Sequence, residues 1–177
     1  MKAKLFCLFI ALFAFKAQAQ LVHLSVGTGI NFPSGNSSNI SAVGLQGYLK
    51  TEVTLSPKYA LTATGGLSQF FGRTMFGVSN QTLSYAPIKV GLKYYTTEYF
   101  YVEGQLGAAL PLKGSTKTAL VWSPGLGTYF KSKNNNNRLD IGVRYEGFTS
   151  STLIIPSGTT FSTFSFVGLH LGYVFSL

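Results

Sequence analysis

Residues 85–95 read YAPIKVGLKYY. Ile88, Val90, Leu92 and Tyr94 fall on one phase of a two-residue period, and Lys89 and Lys93 fall on the other. Such alternation is the pattern of a strand with one face in an apolar medium and the other in a polar one. The stretch at 101–111, YVEGQLGAALP, repeats it: Phe100, Val102, Leu106 and Leu110 lie opposite Glu103. At 138–147, RLDIGVRYEG sets Leu139, Ile141, Val143 and Tyr145 against Asp140, Arg144 and Glu146. Where a strand carries more than one charge, the charges share a face, and it is always the less apolar face.

Working outward, the same period covers most of the chain. Residues 21–32 place Val22, Leu24, Val26 and Ile30 opposite His23, Ser25, Gly27, Gly29 and Asn31. Residues 42–55 place Val43, Leu45, Leu49 and Val53 opposite Gln46, Tyr48, Lys50 and Glu52. Further segments fall near 59–71, 83–95, 99–110, 119–131, 139–148 and 163–177, which makes eight strands. Abundant Gly, Thr, Tyr, Phe and Val argue against helix. The connections at 56–58 and 97–99 are tight, and the one at 131–138 holds the polar run 134–137. The alternate connections, 33–41, 72–82, 111–118 and 149–162, are longer and rich in Gly, Ser, Thr and Asn. Short turns at one end and longer loops at the other suit an outer-membrane barrel.

Residues 1–19, MKAKLFCLFIALFAFKAQA, read as a signal peptide cleaved before Gln20. Lys2 and Lys4 precede an apolar run from 5 to 15, too short to span a bilayer as a helix. Cys7 lies inside that run, far from the cleavage point, which excludes a lipoprotein anchor. The remainder, 20–177, reads as one domain with no cysteine, so disulfide frameworks and thiolate metal centres are excluded.

Only 11% of the residues are charged against 46% hydrophobic and 15% aromatic, where a soluble domain carries about 25% charged residues. Alternation alone fits either a soluble barrel or an inverted membrane barrel with its apolar face toward lipid. Three features favour the inverted form: small residues on the polar face, few charges in the loops, and aromatics at strand ends. Tyr59, Tyr94, Tyr99, Phe100, Phe130, Tyr173 and Phe175 mark the turn end, and Phe71, Phe76 and Trp122 the loop end, as interfacial rings do. The fold expected is all-β: an eight-stranded antiparallel up-and-down transmembrane β-barrel, closed by pairing the first strand with the last.

The stretches at 85–95, 101–111 and 138–147, with GLGTYF at 125–130, resemble the small outer-membrane β-barrel domain of Gram-negative bacteria, a porin-family-like barrel of the OmpA/OmpX type. The end, VGLHLGYVFSL at 167–177, resembles the closing strand read by barrel-assembly machinery, with Tyr173 and Phe175 as its signal. The resemblance implies an outer-membrane location, outer-membrane lipid and lipopolysaccharide as surroundings, and barrel-assembly machinery as a partner.

Candidate chemistry is sparse. The Gly-x-Gly pairs at 27–29 and 125–127 precede no helix, so they read as lumen-facing glycines rather than phosphate loops. His23 and Ser25 share a face without an acid nearby to orient the imidazole. His170 could approach His23 across the closing seam, but a two-histidine metal site lacks further ligands. No catalytic, cofactor or metal site is expected, and the protein is read as no enzyme. The basic balance shows no stripe of cations interleaved with aromatics, so nucleic acid is excluded as a partner. Arg73, Lys113 and Lys117 suit an anionic surface instead.

Tyr48, Tyr101 and Tyr129 point into the expected lumen. So does a polar network of Lys50, Glu52, Lys89, Lys93, Glu103, Arg144 and Glu146. Eight strands leave an interior just wide enough for side chains to fill. The function expected is a structural or interaction barrel with four surface loops, an unknown loop partner and a plugged lumen. The alternative is a narrow porin-like channel for ions or small solutes. A three-residue turn centred on Glu98 sets Lys93 opposite Glu103, and an ion pair between those two is expected.

Overall fold

The computed structural model describes residues 21–39, 41–75, 78–79, 81–113, 117–131, 137–154 and 158–176. The signal peptide read at 1–19, Phe76 and most of the 132–137 turn lie outside the described residues.

Eight long strands close into an antiparallel barrel: β1 (Val22–Ser34), β2 (Ser41–Ser56), β3 (Tyr59–Gly72), β4 (Leu83–Tyr95), β5 (Phe100–Lys113), β6 (Ala119–Lys131), β7 (Arg138–Ile154) and β8 (Gly158–Ser176). Each pairs with its sequence neighbours, and β1 closes on β8 from His23 opposite Ser176 to Ser34 opposite Ser165. Closure removes the unpaired edges that an open sheet would present. A short 3-10 turn (Gly35–Asn39) follows β1, and a two-residue ladder joins Thr74–Met75 to Val78–Ser79 in the loop after β3.

The tight turns are built from hydroxyls. Ser56 Oγ accepts from the backbone N–H of Tyr59 at 3.2 Å, and Thr97 Oγ accepts from that of Phe100 at 3.0 Å. The second turn sets the β4–β5 register, with Tyr95 opposite Tyr101 and Lys93 opposite Glu103, the pairing the sequence predicts.

Residues 149–162 are not the loop the sequence reading makes them. β7 runs on to Ile154 and β8 starts at Gly158, pairing Thr149 with Thr163 and Ile154 with Gly158. The hairpin lengthens two existing strands, so the barrel still has eight.

The faces divide as the alternation predicts. Val90, Leu67, Ile88 and Leu106 are exposed on the outside, each at roughly 60%. Lys50, Lys93 and Glu146 point inward and are at most 1% exposed.

Candidate functional site

The interior has two zones. Toward the turn end lies an ionic zone of Lys50, Glu52, Lys89, Lys93, Glu103, Asp140, Arg144 and Glu146, all buried. That is four cations and four carboxylates, and it uses four of the five acidic residues in the chain. Ions taken out of water must be paired and hydrogen-bonded, and this set balances itself.

The pairs cross the lumen instead of running along the wall. Lys50 Nζ on β2 meets Glu103 Oε2 on β5 at 3.0 Å. Lys93 Nζ on β4 meets Glu52 Oε2 on β2 at 2.5 Å. Lys89 Nζ on β4 meets Glu146 Oε1 on β7 at 2.8 Å. Arg144 lies 3.7 Å from Glu146 and donates to Gln105 Oε1 at 3.3 Å. Thr62 and Gln105 donate to Glu103 Oε1, at 2.7 and 2.8 Å. Lys93 and Tyr95 donate to Tyr129 Oη and Glu52 respectively, and the Lys93 ammonium sits 4.1 Å from the Tyr101 ring centroid. Tyr101 Oη donates to Asp140 Oδ1 at 2.6 Å.

The expected Lys93–Glu103 pair is therefore corrected: the two stand opposite in register, but each takes a partner elsewhere. Inward side chains converge on the barrel axis, where long Lys and Glu chains reach carboxylates two or three strands away. The short Thr62 and Thr64 on β3 leave the way open between β2, β4 and β5.

Toward the loop end the lumen changes character. Phe70, Tyr85, Ala109, Ala119, Val121, Phe148 and Phe166 form one buried cluster, with Leu83 and Phe164 against it. The Phe70 and Phe166 rings are tilted against each other with centroids 4.8 Å apart, and Phe148 meets Phe166 edge-to-face at 5.2 Å. The sequence reading treats the lumen as polar throughout and misses this apolar cap. Its signal was parity: Phe70, Phe148 and Phe166 share phase with Thr62, Arg144 and His170 on their own strands.

His23 and His170 do not meet. His23 pairs with Ser176, whereas His170 pairs with Gly29. Six residues of strand separate those positions, about 20 Å. His170 Nε2 instead lies 3.8 Å from Asp140 Oδ1. Among the described residues no group of three or more His, Cys, Asp or Glu side chains could hold a metal ion. Gly127 lies beneath the Tyr101 ring and Gly27 beneath that of Tyr48, so each faces the lumen where a side chain would collide. Tyr173 and Phe175 point outward near the turn end, their rings 4.8 Å apart, and Asn137 Nδ2 donates to Tyr173 Oη at 2.8 Å.

This architecture defines a class: the small, closed, eight-stranded up-and-down β-barrel. No protein-family model matches the chain, and no curated protein matches it. Solved structures do. The attachment invasion locus protein Ail of Yersinia pestis aligns with a TM-score of 0.56 at 16% identity, over 89% of this chain and 100% of that one. Neisserial surface protein A aligns with a TM-score of 0.58 at 13% identity, over 88% of this chain and 97% of that one. Ail in a phospholipid bilayer nanodisc, where it is described as an outer membrane protein, gives a TM-score of 0.52 at 17% identity. The chain has the fold of these small outer-membrane barrels.

Proposed function

We propose that the protein is an integral outer-membrane barrel with an occluded lumen, acting as an anchor that holds its loops at the cell surface. The observation that carries this reading is the inversion of polarity: a belt of exposed Leu, Ile and Val outside, and eight buried, mutually neutralising ionic groups inside. A soluble barrel would have the opposite arrangement, whereas lipid on the outside makes this one favourable. The signal peptide at 1–19 would deliver the chain across the inner membrane, and Tyr173 and Phe175 would present the closing strand to barrel-assembly machinery. The loop end then faces outward, where Arg73, Lys113 and Lys117 suit anionic lipopolysaccharide. Loop contact with a surface partner accords with the names of the structural neighbours, an attachment protein and a surface protein. Crossing ion pairs and an apolar cap favour occlusion over a channel, and an interaction role over catalysis.

The mature chain carries no cysteine, so single cysteines can report orientation. Lys113→Cys, at the loop end, should react with a membrane-impermeant maleimide on intact cells. Lys58→Cys, in a tight turn, should react only after the outer membrane is permeabilised. Equal labelling of both on intact cells, or of neither, would overturn the placement.

A further inference from the structure

Four inward side chains carry polar atoms outside the paired network, His170 through Nδ1 alone, since its Nε2 lies 3.3 Å from Tyr101 Oη. Asn31 on β1, Gln46 and Tyr48 on β2 and His170 on β8 are each more than nine-tenths buried. Asn31 Oδ1 and Nδ2, Gln46 Nε2, Tyr48 Oη and His170 Nδ1 have no hydrogen-bond partner among the described residues, and the same holds for His23 Nδ1 toward the turn end and Ser41 Oγ toward the loop end. Polar atoms so buried are almost always paired, with protein or with water. The paired groups Thr62, Thr64, Gln105 and Glu103 lie on β3 and β5, on another part of the wall.

The unpaired atoms of Asn31, Gln46, Tyr48 and His170 belong to one patch. Gly29 stands opposite Gln46 on one side and His170 on the other. Asn31 is two residues further along β1, and its Oδ1 lies over Gly168 on β8. The Tyr48 ring crosses Gly27 and brings its hydroxyl to Gly172, edge-on to His170 with ring centroids 6.2 Å apart. The patch is thus three strands wide and a few residues tall, on the seam where β1 closes the barrel. Phe70 and Phe166 bound it toward the loop end, with Phe70 lying over Gly44, the residue opposite Asn31. Tyr48, with Tyr101 and Asp140 beyond it, bounds it toward the turn end.

The geometry points to a small enclosed cluster of bound water on this seam, held by Asn31, Gln46, Tyr48 and His170. The chemistry selects water over an ion. An anion would take donors only and a cation acceptors only, whereas these atoms mix an amide oxygen, two amide nitrogens, a phenol and an imidazole nitrogen. Water donates and accepts, and a buried molecule makes two to four such bonds. The inference goes beyond occlusion, since a wet interior and a dry one both block current.

The test uses the full mature chain refolded in nanodiscs of deuterated lipid. Paired NOE and ROE spectra from water should show long-lived dipolar contacts to the side-chain amides of Asn31 and Gln46. Contacts of the fast-exchanging kind given by loop residues would overturn the enclosure, and none at all would overturn the site. Tyr48→Phe supplies a second readout while keeping the ring over Gly27. If water binds the hydroxyl, the unfolding midpoint stays or falls; a raised midpoint means an unpaired hydroxyl was removed and overturns the proposal. A small neutral solute released on denaturation and seen by mass spectrometry would overturn water as the occupant.

Discussion

Glu103 has three side-chain partners, as Glu52 does. It takes Lys50 on one oxygen and Thr62 and Gln105 on the other. Neutralising it leaves the Lys50 ammonium, 1% exposed, without its counter-ion. Removing one partner of a buried pair costs about 3 kcal/mol or more. Glu98 lies in a wet turn, 3.7 Å from Lys131 with its side chain 77% exposed, where a pair contributes at most about 1 kcal/mol. Glu103→Gln should therefore lower the denaturant midpoint well below that of Glu98→Gln at similar m-values. Equal midpoints would mean the lumen charges are solvated. Which residues face inward was legible in the sequence, because the period of two is local. Which carboxylate each lysine takes was not, because that depends on how strands two or three places apart converge across the lumen. Lys93 shows both: its register opposite Glu103 followed from the turn, and its pairing with Glu52 did not.

Each strand offers one face to each medium, so substitutions on a single element separate the two. On β4, Val90 is 64% exposed among outward apolar neighbours. Val90→Arg should cost roughly 2–4 kcal/mol if the site lies near the bilayer midplane. Refolding into lipid with an unchanged midpoint would refute the lipid-facing assignment. On β5, two glycines report packing. A Cβ at Gly107 would overlap the backbone carbonyl of Ile88, whereas one at Gly104 meets nothing within 4 Å. Backbone cannot move aside as a flexible side chain does, so Gly107→Ala should destabilise by about 1–3 kcal/mol. Gly104→Ala should be neutral or gain up to about 1 kcal/mol from reduced unfolded-state freedom. Comparable losses from both would show that the outer surface at Gly104 is covered. The elements themselves were legible where one face must be apolar. Residues 149–162 lack that alternation, being mostly Ser, Thr and Gly, so the β7–β8 extension was invisible to a periodicity argument.

At the scale of the whole barrel, the proposed occlusion would rest on two layers in series. Crossing ion pairs fill the turn-end half, and Phe70, Tyr85, Phe148 and Phe166 fill the loop-end half. Resistances in series add, so the tighter layer sets the current whichever layer is opened. An apolar constriction also blocks ions by excluding water. Wild type in a planar bilayer should therefore give no steady single-channel current. Lys50→Ser with Glu103→Ser removes a bulky pair together, leaving no orphaned charge, and the Phe cap should still hold the current near wild type. Phe148→Ala with Phe166→Ala opens the cap, and the complete ion-pair layer, with Lys50–Glu103 still in place, should block passage. Only the four substitutions together should give stable conductance. The Phe truncations cost about 3–5 kcal/mol each, so each variant needs its barrel confirmed by circular dichroism before recording. A steady wild-type current would favour the channel reading, and opening by either pair alone would place the whole seal in that layer.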